Sequence, residues 1–92
     1  MKEKDIEQYL CSRIRELGGI AEKLIYATKA GSADRWCFLP NGRLYMVEVK
    51  KKGGRVSPAQ KVEQKRMTLL GFDYRVVWSF EDVDLFIKEI SV

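Results

Sequence analysis

Histidine is absent from this chain of 92 residues, and cysteine and proline occur only twice each. Without histidine the chain cannot build a Ser-His-Asp triad, a histidine general base or a histidine-ligated metal site. Two cysteines are too few for a structural zinc site, which needs four ligands. Any hydrolytic chemistry must therefore use carboxylates, lysine and a hard metal ion.

Long apolar runs are also missing. The longest are far shorter than the roughly 18 residues that span a bilayer, and the N-terminus leads directly into a helical pattern with no apolar signal segment. We therefore expect a cytoplasmic protein without a membrane partner, in which Cys11 and Cys37 are buried free thiols. The length predicts a single domain, residues 1–92, with a modest core.

Basic residues outnumber acidic ones, 17 against 13, which gives a formal net charge of +4. A basic balance suits a polyanionic partner, although the total alone is weak support. The placement is more informative, because Lys50, Lys51, Lys52 and Arg55 crowd one glycine-containing loop. Such loops commonly position phosphates, and the alternative is that these side chains only solvate the loop.

Hydrophobic periodicity and turn residues predict seven elements in the order α-β-β-β-α-β-α. Helices are predicted at residues 3–17, 58–70 and 80–89, and strands at residues 20–26, 34–39, 43–50 and 72–78. The first three strands should form an antiparallel meander. The second helix should cross over between the third and fourth strands, which makes those two parallel. The fold class is therefore α/β, a mixed four-stranded sheet flanked by helices.

Local signals refine these elements. Asp5 and Gln8 resemble a capping box of the first helix, and Ser57 and Ser79 suit the N-caps of the second and third. The segment 28–33 is small and polar and is predicted to be a loop. Both tryptophans, at positions 36 and 78, are interpreted as core residues rather than base-stacking platforms.

Glu48-Val49-Lys50 is the sharpest chemical feature of the sequence. In a strand, residues two apart point to the same face, so Glu48 and Lys50 should project together beside Met46. A carboxylate and a lysine on one face can hold a metal and a water at adjacent points. The same pattern also occurs by chance as a solvated ion pair, so it does not establish a site alone.

The hairpin before this strand decides whether Asp34 reaches Glu48. A two-residue turn at 41–42 would pair Asp34 with Val49 and place it on the wrong face. A three-residue loop at 40–42 pairs Asp34 with Glu48 instead. The second register is favoured, because its proline and asparagine suit the centre of a type I turn and its glycine suits the left-handed position of a G1 bulge.

In that register the two carboxylates have Cβ atoms about 5 Å apart. They repel each other unless a cation lies between them. Oxygen ligands of this kind suit Mg²⁺ or Mn²⁺, which would lower the pKa of bound water and neutralise charge on a phosphate. Lys50 would either orient the attacking water or stabilise the developing negative charge.

The chain carries, in this order, Glu7, Gly31-Ser32-Ala33-Asp34, Glu48-Val49-Lys50, the basic loop and Gln60. These motifs and their spacing resemble the VRR-NUC family of the PD-(D/E)xK nuclease superfamily. The resemblance covers nearly the whole chain and is to short stand-alone members from phage and bacteria. The family has proline before the aspartate, where this chain has Ala33, and we expect a looser loop that stays active.

The resemblance implies a PD-(D/E)xK restriction-endonuclease-like core and a metal-dependent endonuclease without an organic cofactor. It implies that Asp34, Glu48 and the backbone carbonyl of Val49 bind the metal. Lys50 would be catalytic, and Glu7 and Gln60 accessory, with Glu7 as a candidate further ligand. Two alternatives stay open: Glu7 as a solvated helix residue, and Gln60 as the partner of Ser57 in a capping box.

Stand-alone members of the family look like four-way junction resolvases. The resemblance therefore implies a homodimer acting on branched DNA, since cutting two symmetric strands needs two sites related by a twofold axis. Lys51, Lys52 and Arg55 would contact DNA. Nicking or flap cutting with the same site stays open, as does a catalytically inactive DNA-binding module, which the intact site residues argue against.

Overall fold

The computed structural model describes residues 2–23 and 33–91, in which four strands form one sheet between three helices. The order and class confirm the predicted α-β-β-β-α-β-α arrangement. No helix in these two ranges is both long and apolar enough to cross a membrane. The elements are α1 (Glu3–Glu16), β1 (Ile20–Glu22), β2 (Arg35–Leu39), β3 (Arg43–Val49), α2 (Pro58–Leu69), β4 (Asp73–Val77) and α3 (Phe80–Ile90).

The sheet has the strand order β1-β2-β3-β4. The first two pairings are antiparallel and the third is parallel. This confirms the meander and the α2 crossover. The element ends agree with the predicted ones or differ from them by one residue, as terminal residues commonly do. The exception is β1, which ends at Glu22; the predicted extension over 24–26 and loop residues 28–32 lie outside the described residues.

The two faces of the sheet carry different cores. Residues of α1 and α3 form the larger cluster with Val47 and Val49 on one face. On the other face Met46 packs with Met67 of α2, and the half-buried Trp36 lies against this smaller cluster. The predicted alternation of β3 is therefore confirmed, and Glu48 lies on the α2 face.

Trp78 is different, because it is 36% exposed directly after β4. Its interpretation as a core residue is wrong. An apolar residue at the end of a strand is buried only when another element covers that end, which the local pattern does not reveal. Cys37 is buried, Cys11 is partly buried, and both are free thiols.

The start of α1 also corrects a prediction. Lys2 is the N-cap, and the Asp5 carboxylate reaches back to accept a hydrogen bond from the Lys2 backbone N–H at 3.2 Å. The capping box of Asp5 with Gln8 is therefore wrong, because Asp5 occupies the third helical position. The caps at Ser57 and Ser79 are confirmed by hydrogen bonds from the backbone N–H groups of Gln60 and Asp82.

The turn between β2 and β3 sets the register that matters for function. Leu39 pairs with Arg43 across a three-residue loop, as predicted, and Gly42 has a φ of +73°. Asn41 also lies in the left-handed region, with a φ of +68°, so the type I assignment is wrong. Asparagine tolerates this region better than most residues. The register places Asp34 opposite Glu48, one position beyond the last pair of the ladder, Arg35 with Val47.

Candidate active site

Asp34 lies directly before β2 and is fixed by β3. Its Oδ2 atom accepts a hydrogen bond from the Val49 backbone N–H at 2.8 Å. Since β2 begins only at Arg35, this carboxylate takes the place of a strand carbonyl at the end of the ladder. Burial raises the pKa of Asp34, and the Val49 N–H opposes that rise. The side chain is therefore held beside Glu48 at the edge of the β2–β3 pairing.

Glu48 is an almost fully buried carboxylate, with 1% of the residue exposed. Its Oε2 atom lies 3.3 Å from the Lys50 ammonium and accepts a hydrogen bond from the Gln60 side-chain amide. Its Oε1 atom is buried and has no hydrogen-bond partner among the described residues. The neighbouring Asp34 carboxyl could bond to it only if one of the two carried a proton.

Burial raises the pKa of Glu48 from 4.5 to about 7, with the negative charge of Asp34 as the second cause. The Lys50 ammonium opposes this shift but does not cancel it. The surroundings of Glu48 therefore carry too little positive charge for its ionised form. A cation bound beside Glu48 would offset this imbalance.

Lys50 follows β3 and extends its pairing. Its backbone N–H donates to the Val77 carbonyl at 3.0 Å, so the parallel ladder with β4 continues to this point. Its side chain is only 15% exposed and reaches Glu48. The prediction that Glu48 and Lys50 project from one face is confirmed.

Gln60 forms the capping box that the sequence left open and also contacts Glu48. Its backbone N–H donates to the Ser57 hydroxyl at 3.1 Å, and its Oε1 atom accepts from the Ser57 N–H at 2.9 Å, which completes a capping box. The Nε2 atom of the Gln60 side-chain amide donates a hydrogen bond to Glu48. The first turn of α2 is thereby attached to the buried carboxylate.

Glu7 is held by a residue that the sequence analysis did not single out. Its Oε2 atom lies 2.7 Å from Nε of Arg35, whose Nη1 atom donates to the Ala21 carbonyl at 3.0 Å. An arginine that begins an otherwise apolar strand needs a polar partner, and that signal could have pointed to Arg35, although not to Glu7. The alternative of a solvated Glu7 is therefore wrong.

The structure brings together two carboxylates that could bind a metal, and Glu7 is paired with Arg35. Within ranges 2–23 and 33–91, no group of three or more His, Cys, Asp or Glu side chains lies close enough to hold a metal ion. The carboxylates that the structure brings together are Asp34 and Glu48. A ligand role for Glu7 stays a prediction, although its charge contributes to the raised pKa of Asp34.

The backbone of Val49 faces the same edge as Asp34. In a strand the N–H and C=O groups of one residue point to the same side. Since the Val49 N–H is directed at the Asp34 carboxylate, the Val49 carbonyl points toward that side as well. The Val49 carbonyl therefore lies on the Asp34 side of the strand, and its role as a metal ligand stays a prediction.

Comparison with known proteins found relatives of this chain, and no family model matches it. "Putative nuclease p44" of Acyrthosiphon pisum secondary endosymbiont phage 1 is 39% identical over 71 residues, which cover 77% of this chain and 76% of that protein. A solved structure described as "VRR_NUC domain" has a TM-score of 0.91, is 34% identical and is covered over 96% of both chains.

The chain belongs to the VRR-NUC nuclease family. The predicted resemblance and the nuclease-like α/β core are thereby confirmed. At the position of the family's proline, this VRR-NUC domain has Ala33, which is only 3% exposed and packs in the smaller cluster with Met46. Whether the loop before it is looser stays a prediction, because residues 24–32 lie outside the described ranges.

The side chains of this VRR-NUC domain fit a divalent cation. Burial and the adjacent Asp34 carboxylate raise the pKa of Glu48, and one buried oxygen of Glu48 has no partner among the described residues. Both features favour a positive charge between Asp34 and Glu48. Carboxylate and carbonyl oxygens are the donors that Mg²⁺ and Mn²⁺ prefer.

The raised pKa gives a prediction for the metal-free protein. Between pH 4.5 and about 7 the folded state binds a proton at Glu48 that the unfolded state has lost. The free energy of unfolding should therefore fall as pH rises through this window. Glu48→Gln has no such proton to lose. Urea unfolding in a chelator from pH 5 to 8 should show the variant gaining stability relative to wild type as pH rises.

Other carboxylates titrate in both proteins, so only the difference between them is interpreted. Glu81→Gln is a suitable control, because Glu81 is exposed on the first turn of α3. A difference between wild type and Glu48→Gln that does not change with pH would contradict the raised pKa.

Proposed function

We propose that this VRR-NUC domain is a metal-dependent endonuclease that hydrolyses DNA phosphodiesters. The observation that carries the proposal is the buried Glu48, with one unpartnered oxygen within the described part of the chain, placed beside Asp34 and Lys50. The name of the phage relative, "Putative nuclease p44", supports the same activity. Mg²⁺ or Mn²⁺ would be held by Asp34, Glu48 and the Val49 carbonyl.

Each side chain has a distinct task in this proposal. A bound cation supplies positive charge against the scissile phosphate and makes water more acidic near it. Asp34 is oriented by the Val49 N–H, and Glu48 by Gln60, so both carboxylates are held in place before substrate binds. Gln60 is a positioning residue, since it acts through Glu48.

Lys50 presents its ammonium beside Glu48 at the end of β3. From there it can donate to negative charge that develops on the phosphate, or hold the attacking water by a hydrogen bond. Its donors suit either task, because an ammonium has three N–H groups and only one is needed for Glu48.

The loop after Lys50 would hold the DNA backbone. Lys51, Lys52 and Arg55 are exposed, and none makes an ion pair with another described residue. Replacing all three with alanine should weaken binding to every DNA alike and flatten the slope of log affinity against log salt by roughly 2–3. Fluorescence anisotropy at several salt concentrations, on a four-way junction and on duplex, measures both effects.

A control variant with the same charge change separates contact from net charge. Arg15, Lys65 and Lys88 are exposed on α1, α2 and α3, away from the basic loop, and can be replaced together. The control should leave the slope much closer to wild type. Equal slopes for the wild type and the loop variant would mean that the loop is only a solvated connection.

Homodimerisation is proposed because a junction resolvase needs two sites related by a twofold axis. An apolar row crosses the α2 face of the sheet: Ile20 pairs with Phe38, Phe38 pairs with Leu44, and Phe72 precedes β4 at the next position. Ile20, Phe38 and Phe72 are 58%, 41% and 43% exposed. This row supports a face on which a second copy would lie.

The decisive test of the function uses purified protein with Mg²⁺ or Mn²⁺ on a four-way junction, a flap, single strands and plain duplex. The proposal expects metal-dependent cutting with preference for the junction, and a dimer mass by light scattering. Preference for the flap would favour the alternative activity, nicking or flap cutting by the same site. Binding without cutting under either metal would leave only a DNA-binding module.

A further inference from the structure

Trp78 stands beside Lys50 on the active-site face of the sheet. Val49 pairs with Val77 in the parallel ladder, and the Lys50 N–H donates to the Val77 carbonyl. The residue after Val77 is therefore the neighbour of Lys50. Because alternate strand residues share a face, Trp78 lies on the side from which Glu48 and Lys50 project.

Trp78 forms one wall of an open groove of about 760 Å³, within the roughly 300–1,000 Å³ that small-molecule sites occupy. The other lining residues are Arg55, Val56, Ser57, Pro58 and Lys61. Neither Arg55 nor Lys61 makes an ion pair with another described residue, and no described acidic residue lines the groove. The surface therefore combines an aromatic ring with two available cations.

The groove and the carboxylate site share a wall. Ser57, which lines the groove, is bonded to Gln60 through both its hydroxyl and its backbone N–H. Gln60 in turn donates to Glu48. A ligand in the groove is thus separated from the carboxylates by the first turn of α2, and lies next to a phosphate bound at Lys50.

We propose that this groove binds one unpaired nucleotide of the DNA strand beside the cut, with its base stacked on Trp78. The proposal rests on the nuclease function given above. Every base offers a π-face to an aromatic ring, and Arg55 and Lys61 are placed for the phosphates that flank it. A base inside a duplex has both faces already stacked, so only DNA with an unpaired nucleotide can use the indole.

The backbone of Trp78 is held in place before any ligand arrives. The Trp78 backbone N–H donates to the Asp82 carboxylate at 2.8 Å, which ties the end of β4 to the first turn of α3. Stacking on a ring whose backbone is fixed loses less conformational entropy than stacking on a ring in a mobile segment. Each subunit would then select DNA with an unpaired nucleotide by itself. The spacing of the two active sites in a dimer would select branched DNA in addition.

The experiment compares two DNAs that differ in one nucleotide: a duplex with a single unpaired 2-aminopurine and the same duplex fully paired. Binding is measured in a chelator, where no cutting occurs. Trp78→Ala should weaken binding to the first DNA by roughly 5- to 150-fold and barely affect the second. Wild type should quench the 2-aminopurine fluorescence, and Trp78→Ala should not.

Two further variants separate stacking from apolar volume. Trp78→Phe should keep most of the preference for the unpaired nucleotide, whereas Trp78→Leu should lose it while remaining folded. Leu69→Ala truncates another exposed apolar side chain outside the groove and should bind both DNAs as wild type does. Equal affinity losses on both DNAs, or full preference in Trp78→Leu, would overturn the proposal.

Oligomeric mass is measured on the same protein preparations, and cutting is measured on them after Mg²⁺ or Mn²⁺ replaces the chelator. If wild type cuts DNA but its preference for an unpaired nucleotide does not depend on Trp78, the groove proposal is wrong and the nuclease function is unaffected. A wild type that neither binds nor cuts DNA overturns both. If Trp78→Ala changes only the oligomeric mass, the groove is an interface between copies of this chain and the nucleotide site is rejected.

Discussion

Asp34→Asn and Glu48→Gln are each expected to reduce DNA cutting by about 10³-fold or more while leaving the fold intact. Each substitution removes one of the two carboxylates between which the cation is proposed to lie. The amide keeps the size of the side chain, so packing around the buried position is preserved. A single-turnover cutting assay with Mg²⁺ or Mn²⁺ gives the rate, and circular dichroism gives the fold.

The same two variants should respond differently to metal in thermal unfolding. Without metal, removing one carboxylate relieves repulsion, so the melting temperature should stay level or rise. With metal at 100 times its dissociation constant, wild type should gain about 2.7 kcal/mol of stability. The variants should gain much less. Equal stabilisation of all three proteins would mean that Asp34 and Glu48 are not the ligands.

Lys50→Ala should behave in another way, because Lys50 binds no metal in this account. Turnover should fall by about 10²–10³-fold, since a donor to the developing charge is lost. Metal affinity should persist. The Lys50 charge lowers the pKa of Glu48, so its loss raises that pKa further, and the metal affinities of the two proteins should be compared over a pH series that extends above 8.

Lys51→Ala is the matched control for this variant, since Lys51 is the next lysine along the chain and is exposed. It should cut almost as wild type does at saturating DNA. Near-normal cutting by Lys50→Ala would remove Lys50 from the mechanism and leave a reaction supported by the metal alone.

The register of the site could be predicted from the sequence because a strand alternates strictly. Only the three-residue loop at 40–42 puts Asp34 on the face of Glu48, and a proline followed by asparagine and glycine favours that loop. The structure has this register. The left-handed conformation of Asn41 was not predicted, since asparagine is compatible with both conformations and the final twist of the strands decides between them.

The surroundings of the site were harder to predict, because they depend on contacts between distant segments. Arg35 and Glu7 are 28 residues apart and meet only when α1 packs on the sheet. The lack of a hydrogen-bond partner for Glu48 Oε1 among the described residues is visible only once the burial of Glu48 and its other contacts are known. Trp78 shows the converse: its residue type suggests a core position, but no described element covers it.

Calorimetric titration of Mn²⁺ into wild type and Glu48→Gln, at pH 8 and without DNA, tests the central claim most directly. Glu48 contributes a buried carboxylate, and one of its oxygens has no hydrogen-bond partner among the described residues. This oxygen would bind the proposed cation. The account predicts saturable binding by wild type and a loss of roughly 10-fold or more in affinity for the variant. Equal affinity of the two proteins for Mn²⁺ would contradict it.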